Sequence, residues 1–247
     1  MPTTIGSTVV LYRTEAAAPL LTTLASAAVH SGALHAHGPA LHGPRGVEIA
    51  DTITEVAASR SVEAMVWDGD APDDRGGVVR LVREAVASLL VVEWQPRMVD
   101  GHLDLARQLL DQPPCDVLMV RPGGLARLSS IAVAIGPGPN APLVAGFVRR
   151  WAEAFEVPAV VLRGVEREEE VADAEALCAQ LAPDLPTEIV VGRDLVNLLV
   201  GAAHKAGFLA LGATEGFPLD RLGVRTVGTR LAQRADATIV VGRRATA

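Results

Sequence analysis

Aromatic residues are scarce in this sequence. They make up 3% of its 247 residues, whereas apolar residues as a whole make up 49%. A core with so few rings has to be built from Val, Leu, Ile and Ala, and these residues suit parallel strands that helices cover. The length allows one large domain or two smaller ones.

Lysine and net positive charge are also nearly absent. Lys205 is the only lysine, and the formal net charge is -7 with a pI near 5.4. Binding to a DNA or RNA polymer needs a clustered basic surface, so the composition argues against nucleic acid as a partner. The other basic residues are arginines, which favour planar contacts with phosphate wherever one of them faces a pocket.

Long hydrophobic runs are missing as well. A membrane-spanning helix needs roughly 18 consecutive apolar residues, and the best candidate, VVRLVREAVASLLVVEW, contains two arginines and two glutamates. The opening residues MPTTIGSTVVLYRT lack the basic start and the apolar run of a secretory signal. We therefore expect a soluble cytoplasmic protein with no segment inserted in a membrane.

Cysteine is limited to Cys115 and Cys178. They lie in different halves of the chain and in apolar surroundings. We expect both to be small buried hydrophobes rather than partners in a disulfide or reactive thiols.

The chain contains an internal repeat. STVVLYRTEAAAPLL, which begins at Ser7, aligns with SIAVAIGPGPNAPLV, which begins at Ser130, and both reach Ala-Pro-Leu. At nearly the same offset IADTITEVA aligns with VADAEALCA, and DVLMVRP aligns with TIVVGRR. These matches indicate two tandem copies of one domain. The seam is expected near RPGGLARLSS, where Gly, Pro and Ser interrupt the apolar pattern.

Short apolar runs alternate with helical segments in both halves, which predicts parallel strands joined by helices. The predicted strands are TVVLYR, ALHAHG, AMVWDG, LLVVEW and DVLMV in the first half, and IAVAIG, AVVLRG, EIVVG, FLALGA and TIVVG in the second. We therefore predict an α/β fold of two tandem doubly wound parallel-sheet domains, residues 1–122 and 128–247, which form an internal pseudo-dimer.

Helices in the second half are predicted to begin near Asn140, Glu168, Asp194 and Arg225. Asn140 is a favoured N-cap residue, with Pro142 in the first turn, and the acidic run at Glu168 suits the positive end of a helix.

The pattern resembles the universal stress protein family, in tandem, over nearly the whole chain. The resemblance is carried by FLALGATEGFPLDRLGVRTVGTRLAQRADATIVVGR and by SIAVAIGPGPNAPLV. Nucleotide-binding members of that family hold ATP with a Gly, two residues, a second Gly, nine residues, and then Gly followed by Ser or Thr. Gly212, Gly216, Gly228 and Thr229 stand at the corresponding places, but with longer spacings.

Other positions depart from the family pattern. The resemblance implies an acidic residue at the end of the first strand that contacts the nucleoside, and this chain has Arg13 and Gly136 there. The following loop of the second half carries Pro137, Pro139 and Pro142, and proline has no N–H to offer to phosphate. The first half, which continues as VVEWQPRMVDGHLDLARQL, lacks the glycine pattern. We therefore expect a ligand other than triphosphate.

Ligands of open α/β sheets bind beyond the carboxyl ends of the strands, where the chain order reverses. Guanidinium groups, an aromatic face and hydroxyls at these ends suit a base and a phosphate. The alternative is that Trp94 fills the core and that the arginines, including Arg193, are surface charges. The candidate binding residues are Arg13, Thr14, Trp94, Gln95 and Arg97 in the first half, and Gly136, Arg163, Gly164, Val165, Gly212, Ala213, Thr214, Gly216, Gly228 and Thr229 in the second.

Two fused but unequal half-sites match a ligand with two nucleoside ends. Cyclic di-AMP is such a ligand, and we favour it over ATP or AMP. The resemblance extends to regulatory subunits or tails of bacterial cation/proton antiporters and amino-acid permeases, which implies a signalling protein that a transporter holds at the inner face of the membrane. The alternatives are an ATP-binding stress protein with weak or no ATPase activity and a protein-interaction scaffold without nucleotide.

Histidines crowd one region of the first half, at His30, His35, His37 and His42. On a strand, His35 and His37 would share a face and could hold a metal, but no third ligand with suitable spacing is evident, so no metal is predicted. No catalytic constellation is found either, so we expect a non-enzyme. A tandem chain satisfies by itself the pairing between domains, so a monomer is expected, with a homodimer as the alternative.

Overall fold

The fold is described from a computed structural model. It covers residues 6–29, 32–38, 44–67, 71–94, 105–123, 128–213 and 227–245. The chain divides into two compact units, residues 1–120 with 244–247 and residues 121–243.

The first unit alternates strands and helices from its start. Its elements are β1 (Ser7–Leu11), α1 (Ala18–Ala28), β2 (Ala33–His37), α2 (Pro44–Ala58), β3 (Glu63–Trp67), α3 (Arg75–Glu84), β4 (Ala87–Glu93), α4 (Leu105–Asp111) and β5 (Asp116–Arg121). The strand order is β3-β2-β1-β4-β5, and the described pairings are parallel.

The second unit repeats this arrangement. Its elements are β6 (Ile131–Ala134), α5 (Ala141–Ala154), β7 (Ala159–Val165), α6 (Val171–Leu181), β8 (Thr187–Val191), α7 (Leu195–Ala206), β9 (Phe208–Gly212), α8 (Val227–Arg234) and β10 (Thr238–Arg243). The strand order is β8-β7-β6-β9-β10, and the described pairings are again parallel. Every strand predicted from the sequence is present, and the predicted fold class of doubly wound α/β units is confirmed.

Strand pairing makes the two units comparable residue by residue. In the first unit the last residue of β1, Leu11, is paired with Val92 in β4. In the second unit the last residue of β6, Ala134, is paired with Leu211 in β9. The residues that follow these pairs therefore occupy equivalent positions, at the point where each sheet reverses its strand order.

The central strands are apolar because helices cover both of their faces. In β4 and β9 the side chains from Leu89 to Val92 and from Phe208 to Leu211 are buried. The outer strands β3 and β8 are more exposed, with Trp67 50% accessible. This difference explains why the inner strands read as continuous apolar runs and the outer ones do not.

The helix starts predicted near Asn140, Glu168 and Asp194 are present, at Ala141, at a short 3-10 turn Glu168–Glu170 before α6, and at Leu195. The start predicted near Arg225 lies outside the described residues. Asp194 caps α7 by accepting a hydrogen bond from the Asn197 amide at 3.1 Å, and Gly207 ends that helix in the left-handed region with φ of 81°. Asn140 stands at the N-cap position of α5 but its side chain makes no capping hydrogen bond. The prediction that it caps the helix is therefore wrong for the side chain, which is used elsewhere.

Both cysteines are free and buried, as predicted. Burial and the neighbouring Asp116 raise the pKa of Cys115 to about 12. Burial also raises the pKa of Cys178. Neither thiol is therefore a reactive thiolate near neutral pH.

His35 and His37 lie on the same face of β2, as expected from their spacing, and Trp67 of the neighbouring strand stacks on both. The His37 and Trp67 ring centroids are 5.7 Å apart with an angle of 4° between the planes. Burial, and secondarily His35, lowers the pKa of His37 to about 4. Both His30 and His42 lie outside the described residues. Within the ranges given above, no helix is long and apolar enough to cross a membrane.

The low pKa of His37 predicts a loss of stability in mild acid. The unfolded chain binds a proton near pH 6.5, whereas the folded protein excludes it down to about pH 4, so the free energy of unfolding falls across that window and levels off below it. Each unit of pKa difference corresponds to roughly 1.4 kcal/mol. Urea denaturation at a series of pH values should show a shallower slope for His37→Gln than for the unsubstituted protein. Identical slopes would contradict the assignment.

Candidate functional site

A cavity of about 430 Å³ lies in the second unit at the carboxyl ends of β6, β7 and β9. The loop after β6, one face of α7 and Val227 at the start of α8 complete its wall. Because β6 lies between β7 and β9, the cavity is at the point of strand-order reversal. Sites of this size and position are typical of small-molecule binding in open α/β sheets.

The cavity wall is mostly apolar. Leu162, Leu195, Leu199 and Leu211 contribute to it, and among the described lining residues Arg163 is the only one with a polar side chain. Such a wall suits the flat apolar body of a ligand, with a single cationic contact to orient it.

Gly212 allows the end of β9 to approach the start of α5. A Cβ at this position would lie 2.7 Å from the backbone nitrogen of Ala141 and from the carbonyl carbon of Asn140, closer than real Cβ contacts. The buried Asn140 side chain donates a hydrogen bond of 2.8 Å to the Ala213 carbonyl oxygen. Glycine and asparagine together therefore hold the two loops of the cavity against each other.

Gly136, at the end of β6, leaves space in front of Arg163. A Cβ on Gly136 would meet only the Nη1 of Arg163, at 3.7 Å, which is an ordinary contact. Gly164 is different, because a Cβ there would lie 2.7 Å from Cδ2 of Leu195. Of these two glycines, only Gly136 could carry a side chain into the cavity without a collision.

Arg163 projects from β7 into the cavity wall. Its Nη1 donates to the Ile135 carbonyl oxygen at 3.1 Å, and its buried Nε has no hydrogen-bond partner. The positive charge acts on Cys178, where it opposes the rise in the thiol pKa that burial causes. Most of the donors of this guanidinium are therefore available to a ligand.

The first turn of α5 offers few donors to the same cavity. Pro137, Pro139 and Pro142 have no N–H, and the Ala141 amide donates to the Gly138 carbonyl oxygen at 3.2 Å. The expectation that this loop is a poor cradle for a triphosphate therefore has a geometric basis.

The predicted residues of the second half largely converge. Gly136, Arg163, Gly164, Gly212 and Ala213 line the cavity. Val165 is buried and paired with Val191 instead. Gly228 and Thr229 lie in the first turn of α8, directly after the lining residue Val227. Thr214 and Gly216 lie outside the described residues.

In the first unit a glutamate side chain fills the equivalent place. Glu93 takes the position that Gly212 has in the second unit, and it is 6% exposed. Its carboxylate accepts hydrogen bonds from the backbone N–H groups of Arg13 and Thr14, at 2.5 and 2.8 Å, and from the Thr14 hydroxyl at 2.9 Å. An anion from the protein itself thus occupies the backbone donors that follow β1.

Arg13 and Trp94, also predicted in the first half, are engaged with the protein. The Arg13 guanidinium contacts Asp73 at 2.5 Å and donates to the Pro72 carbonyl oxygen at 3.1 Å. Trp94 is 6% exposed, which agrees with the alternative that it fills the core rather than presenting a face to a ligand. Gln95 and Arg97 lie outside the described residues.

Sequence reasoning missed Glu93. A charged residue at the end of an apolar strand looks like an ordinary surface residue, and the glycine pattern directs attention elsewhere. The available signal was the repeat itself, because alignment of LLVVEW with FLALGA places Glu93 against Gly212.

A metal centre finds no support in the part of the chain that is described. No group of three or more His, Cys, Asp or Glu side chains there could hold a metal ion. His35 and His37 contact Trp67 instead.

Solved structures share the fold over the whole length. A universal stress protein from Archaeoglobus fulgidus DSM 4304 has a TM-score of 0.65 and 10% sequence identity, with 96% of each chain covered. A functionally unknown protein from Pseudomonas aeruginosa PAO1 has a TM-score of 0.65 and 15% identity, over 97% of this chain and 93% of that one. The cytoplasmic domain of a prokaryotic cation chloride cotransporter has a TM-score of 0.66 and 10% identity, with 96% of each chain covered.

These similarities confirm the resemblance to universal stress proteins at the level of fold. No protein-family model and no curated protein sequence matches the chain. The function therefore has to be argued from the site.

Replacement of Glu93 by methionine tests its role as an internal ligand. Glu93→Met keeps the length of the side chain but removes the acceptor, so the Arg13 and Thr14 amides lose their partner. We expect a loss of about 1–3 kcal/mol of unfolding free energy. The control is Glu84→Met, at the exposed end of α3, which should change stability by less than about 0.5 kcal/mol. Equal effects of both changes in chemical denaturation would refute this role.

Substitution of Gly212 tests the close approach of β9 to α5. Gly212→Ala places a Cβ 2.7 Å from backbone atoms and should destabilise the protein by roughly 1–3 kcal/mol. The matched control is Gly201→Ala in α7, where a Cβ meets nothing within 4 Å and where alanine should stabilise the helix by about 0.5–1 kcal/mol. Urea midpoints that shift the same way for both variants would be inconsistent with the contact.

Proposed function

We propose that this protein is a non-catalytic regulatory protein that binds an adenine nucleotide in the cavity of its second unit. The observation that carries the proposal is the cavity of about 430 Å³ at the carboxyl ends of β6 and β9, where the strand order reverses. Its walls are apolar, and the Arg163 guanidinium in them has N–H donors without a hydrogen-bond partner. Apolar walls suit a purine, and Arg163 suits an acceptor or an anion on the same ligand.

A single binding unit follows from the difference between the two crevices. Glu93 occupies the amides of Arg13 and Thr14 in the first unit, and a nucleotide phosphate would have to displace that carboxylate. The equivalent Gly212 leaves the second unit open. We therefore expect one nucleotide per chain.

Cyclic di-AMP is our preferred ligand, ahead of ATP. A triphosphate needs many donors, and Pro137, Pro139 and Pro142 provide none around the first turn of α5. A compact phosphodiester carries less charge and needs fewer contacts. Because Glu93 occupies the amides of the first unit, the two half-sites expected from the sequence reduce to one, and a single adenosine phosphate unit of the cyclic dinucleotide would enter the cavity.

Regulation of a transporter is the proposed role of this binding. The full-length similarity in fold to the cytoplasmic domain of a cation chloride cotransporter supports a cytoplasmic protein that reports nucleotide binding to a transporter. The non-catalytic role is part of the same proposal, and a measurement of ATP turnover tests it.

A ligand panel tests this function. Thermal-shift and calorimetric titrations with ATP, AMP, cyclic AMP and cyclic di-AMP should show the strongest stabilisation by cyclic di-AMP, at one molecule per chain. Mass action predicts about 2.7 kcal/mol of added stability at a hundredfold excess over Kd. Gly136→Leu, which fills the cavity, should abolish the response, whereas Gly201→Leu on the exposed face of α7 should not.

Each of the remaining possible results of the ligand panel indicates a different class of protein. A flat response to every nucleotide would contradict the proposal and leave a protein-interaction scaffold. Slow ATP turnover that disappears in Gly136→Leu would indicate a nucleotide hydrolase. Binding of ATP without turnover, at higher affinity than cyclic di-AMP, would identify an ATP-binding stress protein.

A further inference from the structure

Arg163 is a cation whose pairing within the protein is incomplete. A guanidinium has five N–H donors, and the structure gives Arg163 one hydrogen bond, from Nη1 to the Ile135 carbonyl oxygen. Its Nε is buried without a partner. The Nε of Arg121, which does not line the cavity, is buried without a partner in the same way. The donors of Arg163 that a ligand could reach are therefore the remaining ones on Nη1 and Nη2.

Two exposed arginines of the second unit are paired with acids. Arg149 contacts Asp184 at 2.7 Å, and Arg167 contacts Glu170 at 2.8 Å. Among the described residues no carboxylate forms such a pair with Arg163. Arg163 therefore differs from these two arginines in having no acidic partner and in lining the cavity.

The surroundings of Arg163 leave its guanidinium open towards the cavity. Gly136 has no side chain to cover Nη1, although a Cβ there would lie only 3.7 Å away. In the first unit the residue equivalent to Gly136 is Arg13, and its guanidinium contacts Asp73 at 2.5 Å. The first unit thus supplies its own counter-charge, and the cavity of the second unit does not.

An oxyanion is the group that best completes this environment. Charge-assisted hydrogen bonds to a phosphate or carboxylate are roughly twice as strong as those to a neutral carbonyl, and a guanidinium can make two in parallel. The first turn of α5 offers few N–H donors, so a phosphate would bind more strongly to Arg163 of β7 than to that helix end.

We propose that Arg163 is the phosphate-binding residue of the cavity, so that the ligand phosphate lies at the end of β7 rather than at the first turn of α5. This inference rests on the proposed nucleotide-binding function and specifies how the nucleotide is oriented.

The test compares ligands that contain a phosphate group with adenosine, which contains none. Calorimetric titrations use adenosine, AMP, cyclic di-AMP and inorganic phosphate against the unsubstituted protein, Arg163→Gln and Arg163→Lys. In Arg163→Gln the affinity for AMP and cyclic di-AMP should fall roughly 10- to 100-fold, whereas that for adenosine should not change. Arg163→Lys, which keeps the charge but not the planar fork, should retain part of the preference for AMP over adenosine.

Arg193→Gln is the matched control. Arg193 follows β8 at the same end of the sheet, is exposed, and does not line the cavity. Its replacement removes the same charge from the same region, so equal losses in Arg193→Gln and Arg163→Gln would overturn the proposal. Unchanged melting temperatures of the free variants exclude a folding defect as the cause of lost binding.

The remaining outcomes separate this inference from the proposed function. An equal loss of adenosine and AMP binding in Arg163→Gln would overturn the inference and leave nucleotide binding intact. If the unsubstituted protein binds no nucleotide, the proposed function fails, and inorganic phosphate then decides the inference. Phosphate binding that is lost in Arg163→Gln supports the inference, and its absence from the unsubstituted protein overturns it.

Discussion

A carboxylate bound to two backbone amides sets the difference between the two units. Glu93 accepts from the N–H groups of Arg13 and Thr14 at the place where parallel α/β sheets bind their ligands. In the second unit the same position is Gly212, which brings β9 against the start of α5. At equivalent positions, one unit thus carries a charged side chain bound to backbone amides, and the other carries a glycine at a close backbone approach.

The residues near Glu93 in the first unit and near Gly212 in the second differ in ways that fit together. In the first unit Arg13 replaces Gly136 and finds its counter-charge in Asp73, so both charged groups at the strand ends are paired within the protein. In the second unit Gly136 and Gly212 have no side chains at these places, and the charged group is Arg163 of β7. The described wall of the cavity is apolar apart from Arg163.

The fold could be predicted from the sequence because burial on both faces makes each central strand a continuous apolar run, and because the repeat supplies every element twice. The candidate site could be predicted from the sequence only in part. Gly136 follows β6, whereas Arg163 and Gly212 lie among the last residues of β7 and β9. The rule that ligands bind at the carboxyl ends of the strands finds all three without knowledge of their contacts. The role of Glu93 depends on a side chain that folds back onto amides about 80 residues earlier in the chain, and no local pattern encodes it. Asn140 was assigned to the nearest helix because capping is a local rule, while its actual partner, Ala213, comes from a distant loop.

The position of the bound nucleotide is tested most directly by a crystal structure of the protein grown with cyclic di-AMP. We expect nucleotide density in the cavity between β6 and β9, with a phosphate against Arg163 and with Glu93 still bound to the amides of Arg13 and Thr14. Density over those two amides with Glu93 displaced, or nucleotide bound away from the β6–β9 cavity, would contradict it.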